Sequence, residues 1–151
     1  MINPFIQGTQ LVFTSLCGEA PSLGKVFIKT QPYTPLDISV AVTLLGAITG
    51  DVVFNLRAGD CSFIASKMMR GASVGISDMS LSAISELANM ISGNAATLFS
   101  GRGLLVDIST PRCTIDGTAK DYPSAREIEK IVCVPLIFSD NHKIELDILI
   151  L

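Results

Sequence analysis

Ile38-Ser39-Val40-Ala41-Val42-Thr43-Leu44 alternates large apolar residues with small ones, and Asp51-Val52-Val53-Phe54-Asn55-Leu56 follows it closely. A period of two marks strands whose faces see different surroundings. The turn signal Thr49-Gly50 joins the two runs, so they read as a β-hairpin. A second hairpin is expected near the end of the sequence. Ile131-Val132-Cys133-Val134-Pro135-Leu136-Ile137-Phe138 leads into the turn Ser139-Asp140-Asn141-His142, and Ile144 to Leu151 returns. In the returning strand Glu145 and Asp147 alternate with Leu146 and Ile148, a pattern that predicts one wet face. Because the run ends the sequence, it is expected at an open sheet edge that a second copy would cover.

Helical patterns occupy other parts of the chain. Asn3, with Pro4 in the first turn, opens a helix to about Leu16 that Gly18 stops. Val26 to Thr30 is a short strand, and the prolines within Gln31 to Pro35 break the chain. Asp60 stands as an N-cap for a helix to about Arg70, which Gly71 to Gly75 ends. Ser77 or Asp78 caps a longer helix to about Ser100, stopped by Gly101 and Gly103. Leu104 to Ser109 is a short strand, and Thr114 to Arg126 is an exposed loop or irregular edge. Helices segregated from antiparallel hairpins give an α+β fold, with long helices packed across a largely antiparallel β-sheet. Residues 1–151 form a single domain, long enough to bury about 70% of the unfolded surface.

Composition excludes several classes. Hydrophobic residues make up 48% of the chain and charged ones 17%, which argues against disorder. Mean hydropathy is +0.51, yet no segment reads as a membrane span. Ile38 to Gly50 is too short, and Met79 to Gly101 is interrupted by Glu86, Asn89 and hydroxylated residues. With no basic region before an apolar core at the N-terminus, the expected location is cytoplasmic. A net charge of −3 and the absence of a basic run argue against nucleic acid. Cys17, Cys61, Cys113 and Cys133 are too dispersed for a metal or redox motif and read as buried reduced thiols. The one histidine, His142, reads as a solvated turn residue, and Glu127 and Glu129 as a solvated strand edge.

The long helix is where chemistry concentrates. Ile84, Leu87, Ile91 and Leu98 fall within about 60° of one another and form the inner face. Glu86, Asn89 and Gly93 lie opposite, flanked by Ser82, Ser85 and Ala96. A solvated face usually carries long charged side chains. Here small residues surround one carboxylate and one amide, leaving room for another molecule's backbone to approach.

Glu86-Leu87-Ala88-Asn89-Met90 with Gly93-Asn94-Ala95 resembles the Glu-x-x-Asn helix of the CheX family of response-regulator phosphatases, related to CheC and FliY. Ile2-Asn3-Pro4-Phe5-Ile6, Gly46-Ala47-Ile48-Thr49-Gly50-Asp51-Val52 and Val106-Asp107-Ile108-Ser109-Thr110-Pro111 resemble that family's other segments in the same order. A single Glu-x-x-Asn resembles the one-site CheX type more than CheC, whose members carry two. The resemblance implies a CheC/CheX-like fold and a phosphatase that accelerates loss of phosphate from a phospho-aspartyl CheY-like receiver. It implies catalytic roles for Glu86 and Asn89, the glutamate anchoring to the receiver's lysine and the asparagine positioning the attacking water. Ser82, Ser85 and Gly93 would allow close approach. No cofactor or metal is expected on this chain alone; Mg²⁺ would come with the receiver. A homodimer pairing sheets across a two-fold axis is also implied.

The residues themselves are compatible with that chemistry. An amide both donates to and accepts from water without placing a charge against phosphoryl oxygens. An ionised glutamate only accepts and suits a lysine partner. Nucleophilic catalysis would have to use His142, with no Gly-x-Ser-x-Gly elbow beside it. The alternative is a non-catalytic receiver-binding or oligomerising module of the same fold.

Overall fold

The computed structural model describes residues 3–30, 33–71, 75–117 and 130–150. In chain order the elements are α1 (Asn3–Cys17), β1 (Ser22–Leu23), β2 (Phe27–Thr30), β3 (Ile38–Gly46), β4 (Gly50–Leu56) and α2 (Ala58–Met68). They continue with α3 (Asp78–Gly101), β5 (Val106–Ile108), β6 (Arg112–Ile115), β7 (Lys130–Ile137) and β8 (Lys143–Ile150). All strands among the described residues belong to one antiparallel sheet in the order β1-β7-β8-β4-β3-β5, with β2 also on β7 and β6 also on β3. The expected α+β architecture, long helices across an antiparallel sheet, is what forms.

Alternation places Val40, Val42, Val52, Phe54, Val134, Leu136, Leu146 and Ile148 on the face that receives the helices. The register sets Val40 opposite Phe54 and Phe54 opposite Leu146, so the large side chains stack across the sheet. Helices α1, α2 and α3 close this core with Phe5, Phe13, Ile64, Ile84, Leu87, Ile91 and Phe99. Phe5 meets Phe99 edge-on at 5.8 Å, and Phe13 meets Phe138 at 4.8 Å. Leu98, expected on the inner face, is only half-buried, and Phe99 takes the inner place. Gly8 sets the approach of α1 to α3, because a β-carbon there would lie 3.1 Å from the Ile91 carbonyl oxygen. At Gly50 a β-carbon would lie 2.2 Å from the Leu149 carbonyl oxygen, and φ is +153°. A side chain cannot be accommodated at that hairpin corner.

Ser77 caps α3 with a reciprocal capping box to Ser80, as the sequence suggests. The cap of α2 is different. Arg57 occupies the N-cap position without a side-chain bond, and the Asp37 carboxylate accepts from the Ala58 N–H at 3.0 Å. Asp60, expected as the cap, lies in the first turn and faces the β7–β8 corner instead. There its Oδ1 accepts from the Lys143 N–H at 3.2 Å and meets His142 Nδ1 at 2.8 Å. His142 also stacks on Phe63 with centroids 4.1 Å apart, so it is a packed joint between α2 and the hairpin, not a merely solvated turn residue.

Two further expectations are corrected. β8 is not an edge: it lies between β7 and β4 and pairs with both along most of its length. Its polar face is not wet either, since Glu145 is 8% exposed and Asp147 is fully buried. Lys29 from β2 and Tyr33 lie over that face, and Tyr33 joins Ala41, Val53, Ile131 and Leu149 in a second small core. Thr114 and Ile115, expected in a loop, belong to β6, while 118–129, with Glu127 and Glu129, lie outside the described residues. Cys113 is exposed, contrary to the expectation of four buried thiols; Cys17 is half-buried, Cys61 and Cys133 are buried, and all are free. No helix among the described residues is long and apolar enough to cross a membrane.

Candidate functional site

Twenty-four residues of α3 present their outer stripe to a cleft of about 530 Å³. One wall is Ser82, Ser85, Glu86 and Asn89; the other is Ile108, Ser109, Thr110 and Pro111. The helical spacing that groups the first four in sequence therefore gives them one shared cavity. Glu86 and Ser82 are exposed, and Asn89 and Ser85 are half-buried. Among the described residues neither Glu86 nor Asn89 forms a side-chain hydrogen bond or ion pair. Two polar side chains further along the same helix are occupied: Asn94 donates to the Met90 carbonyl at 2.9 Å, and Thr97 to the Gly93 carbonyl at 3.1 Å. The carboxylate and the amide thus face the cleft with their hydrogen-bonding capacity unspent.

Gly93 lies outside the cleft lining, one turn beyond Asn89. A β-carbon there would meet only Ile108 Cδ1 at 4.0 Å, an ordinary contact. Nothing within the chain demands glycine at that point of the helix, and glycine there costs roughly 0.5–1 kcal/mol relative to alanine. Space kept for an approaching molecule would account for it. Gly93→Ala should then raise the unfolding midpoint, by about 1 kcal/mol of stability, while weakening the binding of a partner over this stripe. Thermal unfolding and partner titration together check this; tighter binding by the variant would contradict it.

The second wall, Ile108 to Pro111, was not among the expected site residues. Its signal in the sequence is Pro111, which has no ladder N–H to give, three positions beyond the short strand that ends at Ile108.

A second polar cluster lies on the opposite face of the sheet. Lys29 Nζ is 2.9 Å from Glu145 Oε2 and 2.9 Å from Asp147 Oδ2. Tyr33 Oη donates to Asp147 Oδ2 at 2.5 Å, and Asn55 Nδ2 donates to the same oxygen. Ser39 Oγ in turn donates to Asn55 Oδ1 at 2.5 Å. Burial pushes the Asp147 carboxyl up, against the pull of Lys29 and the hydrogen bonds from Tyr33, Lys29 and Cys133. For Lys29 burial works downward, but the Asp147 and Glu145 carboxylates outweigh it and the net shift is upward. Cys133, Glu145 and Asp147 offer ligand atoms within 4.8 Å of one another, but the Lys29 ammonium already stands where a cation would balance them. The cluster reads as a structural ion-pair network. Thiol chemistry is equally unsupported, since burial pushes Cys61 up to about 11 and raises Cys133 further still.

The sequence profile of the family described as "Chemotaxis phosphatase CheX" matches residues 38–135. The chain belongs to the CheX family. Among its relatives, the protein named CheY-P phosphatase CheX of Thermotoga maritima is 26% identical over 112 residues, covering 74% of this chain and 72% of that protein. The solved CheX–CheY–BeF3–Mg complex of Borrelia burgdorferi superposes with a TM-score of 0.79 at 24% identity, covering 99% of this chain and 96% of that one. FliY of Thermotoga maritima gives 0.75 at 20% identity, over 97% and 85% of the two chains. The CheX fold thus extends to both ends of the described chain, beyond the segment that the family profile matches.

Proposed function

We propose that this CheX-family chain is a phosphatase for a phospho-aspartyl CheY-like receiver, acting through the cleft between α3 and residues 108–111. The observation that carries the reading is the pairing of Glu86 with Asn89 in one cleft, each free of partners among the described residues. Family membership and the printed name of the Thermotoga relative support the reaction type.

In this mechanism Asn89 supplies water positioning. Its amide oxygen and nitrogen hold one water in line with the phosphoryl group, converting an encounter with solvent into a step whose entropy is already lost. Glu86 is acceptor-only and negative, so it pairs with a lysine of the receiver and fixes the register of α3 over the phosphoryl site. Ser82 and Ser85 keep the approach open. The cleft offers Mg²⁺ a single carboxylate, Glu86, too poor a donor set for this cation, so the ion is assigned to the receiver. The chain works in the cytoplasm alongside that receiver.

The experiment is phosphate release from a phosphorylated receiver with Mg²⁺ present and the chain substoichiometric. Release of many equivalents per chain, faster than the receiver alone, is expected. A receiver that binds and retains its phosphate at the unassisted rate would establish the adaptor reading instead.

A homodimer is also proposed, on a different edge from the one expected. β8 is central, whereas the β1–β2 edge exposes Leu23, Val26, Phe27 and Ile28 within a few residues. Such an edge is normally covered. Light scattering at micromolar concentration should give twice the chain mass of 16.0 kDa, and Phe27→Asp with Ile28→Asp should halve it. A wild-type mass of one chain would contradict the dimer.

A further inference from the structure

The outer strand beside β3 is discontinuous. Ile108 pairs with Leu44 at the end of β5, and Arg112 pairs with Ala41 at the start of β6. Between these pairs three residues, Ser109, Thr110 and Pro111, stand opposite two, Val42 and Thr43. One extra residue on an edge strand is a β-bulge, a device that bends the strand and re-aims its side chains. All three bulged residues line the cleft that holds Glu86 and Asn89.

The bulge is closed by a side chain. Ser109 N–H donates to the Thr43 carbonyl at 2.9 Å, as a ladder residue would. The return bond is different: the Thr43 N–H donates to Ser109 Oγ at 2.9 Å, in place of a main-chain carbonyl. The same hydroxyl donates to the Thr110 carbonyl at 3.2 Å, holding the next peptide. Thr43 is itself fixed from behind. Its hydroxyl donates to Asp51 Oδ1 at 2.6 Å and accepts from Arg112 Nη1 at 3.0 Å. The bulge is therefore tied to β3 by the N–H and the hydroxyl of Ser109, and through Thr43 to β4 and β6.

We propose that Ser109 is a positioning residue of the cleft: its hydroxyl replaces a main-chain acceptor for Thr43 and holds residues 109–111 forward against Glu86 and Asn89. This rests on the phosphatase reading above for its kinetic consequence but not for its geometry. The bulged wall carries neither the water-positioning amide nor the anchoring carboxylate. It shapes the space a receiver must enter, so displacing it weakens the fit more than the chemical step. Without the hydroxyl the Thr43 N–H loses its acceptor and the peptide at Thr110 is released.

Phosphate release over a range of receiver concentrations, for the wild-type chain, Ser109→Ala and Ser109→Thr, tests the assignment. Ser109→Ala should raise KM about tenfold with kcat within about twofold. Ser109→Thr keeps the hydroxyl and should restore KM. A residue that served stability alone would lower the melting temperature of Ser109→Ala and leave KM of the folded protein unchanged, and that result overturns the proposal. A second readout needs no turnover. In amide NMR spectra of the free chain, Ser109→Ala should move both the Thr43 amide and the Asn89 side-chain amide. Perturbation confined to Thr43, with Asn89 unmoved, overturns the proposal as well. If the wild-type chain released no phosphate while the Asn89 signal still moved in Ser109→Ala, the phosphatase reading would fail and the positioning of the cleft by Ser109 would stand.

Discussion

Asn89→Ala is expected to reduce phosphate release towards the receiver's own rate while leaving receiver binding largely intact. The amide is half-buried in the cleft and forms no side-chain hydrogen bond among the described residues, so its removal should cost the fold little. What is lost is a positioned water. An interaction made only on the way to the transition state lowers kcat and kcat/KM together, and positioning effects of this kind reach about 100-fold. Glu86→Ala should behave differently. It would remove the proposed charge-assisted contact to the receiver's lysine, so KM should rise first and kcat should follow only as far as a loosely held helix misplaces Asn89. Ser100→Ala, exposed at the far end of α3, is the control and should change neither parameter. Steady-state kinetics at several receiver concentrations distinguish these patterns. Identical profiles for the Asn89 and Glu86 variants would contradict the division of roles.

Lys29→Met should cost about 3 kcal/mol of stability, because it leaves Asp147 buried without its cation and Glu145 with only Lys143, at 3.7 Å. The partners are well shielded: the side chains of Lys29, Glu145 and Asp147 are 16%, 11% and 0% exposed. Methionine keeps the apolar stem, so the loss reports charge more than volume. The sign of the pH dependence follows from the two upward shifts. A folded-state pKa raised above its unfolded value means the native state binds the proton more tightly, giving stability that is full below the unfolded pKa and lost as pH rises through the folded one. For Lys29 in the wild-type chain, that loss falls in the alkaline range. For Asp147 the same sign means that ionising the buried carboxyl costs stability as pH rises. Removing Lys29 takes away the charge that held the Asp147 pKa down, so its folded value should climb further. The defect of Lys29→Met should therefore be largest at neutral to mildly alkaline pH, shrinking on acidification as Asp147 takes up a proton and in stronger alkali as the wild-type Lys29 loses its own. Urea unfolding at acid, neutral and alkaline pH measures it. A wild-type midpoint at neutral pH, or a defect independent of pH, would contradict this account.

What could be seen in the sequence was whatever short-range pattern controls. Period-two alternation in Ile38–Leu44 and in Glu145–Ile148 marks strands, because it depends only on neighbours. Ser77 declares its helix for the same reason, bonding three residues ahead at Ser80. The stripe of Ser82, Ser85, Glu86 and Asn89 follows from helical spacing, and the cleft contains all four. The misses have long-range causes. Alternation in β8 correctly separated Glu145 and Asp147 from the helix-facing residues, but burial of that second face comes from Lys29 and Tyr33, more than a hundred residues earlier. His142 is packed by Asp60, 82 residues away in the sequence. The end of a chain says nothing about its place in a sheet, which is how a central strand was expected at an edge. β1, at two residues, and the four-residue β6 are too short to show a period. The wall at Ile108–Pro111 depends on a register offset against β3 that only the paired strands reveal.

The central claim is that one amide in this cleft shortens the life of a receiver's phosphoryl group. Its most direct test is a single-turnover decay: a small amount of phosphorylated receiver, Mg²⁺, and enough chain that all of the receiver is bound, with binding verified separately. The phosphoryl group should disappear much faster in complex with the wild-type chain than on the free receiver, and at close to the free rate in complex with Asn89→Ala. Equal decay in the two complexes, whether both fast or both slow, would contradict it.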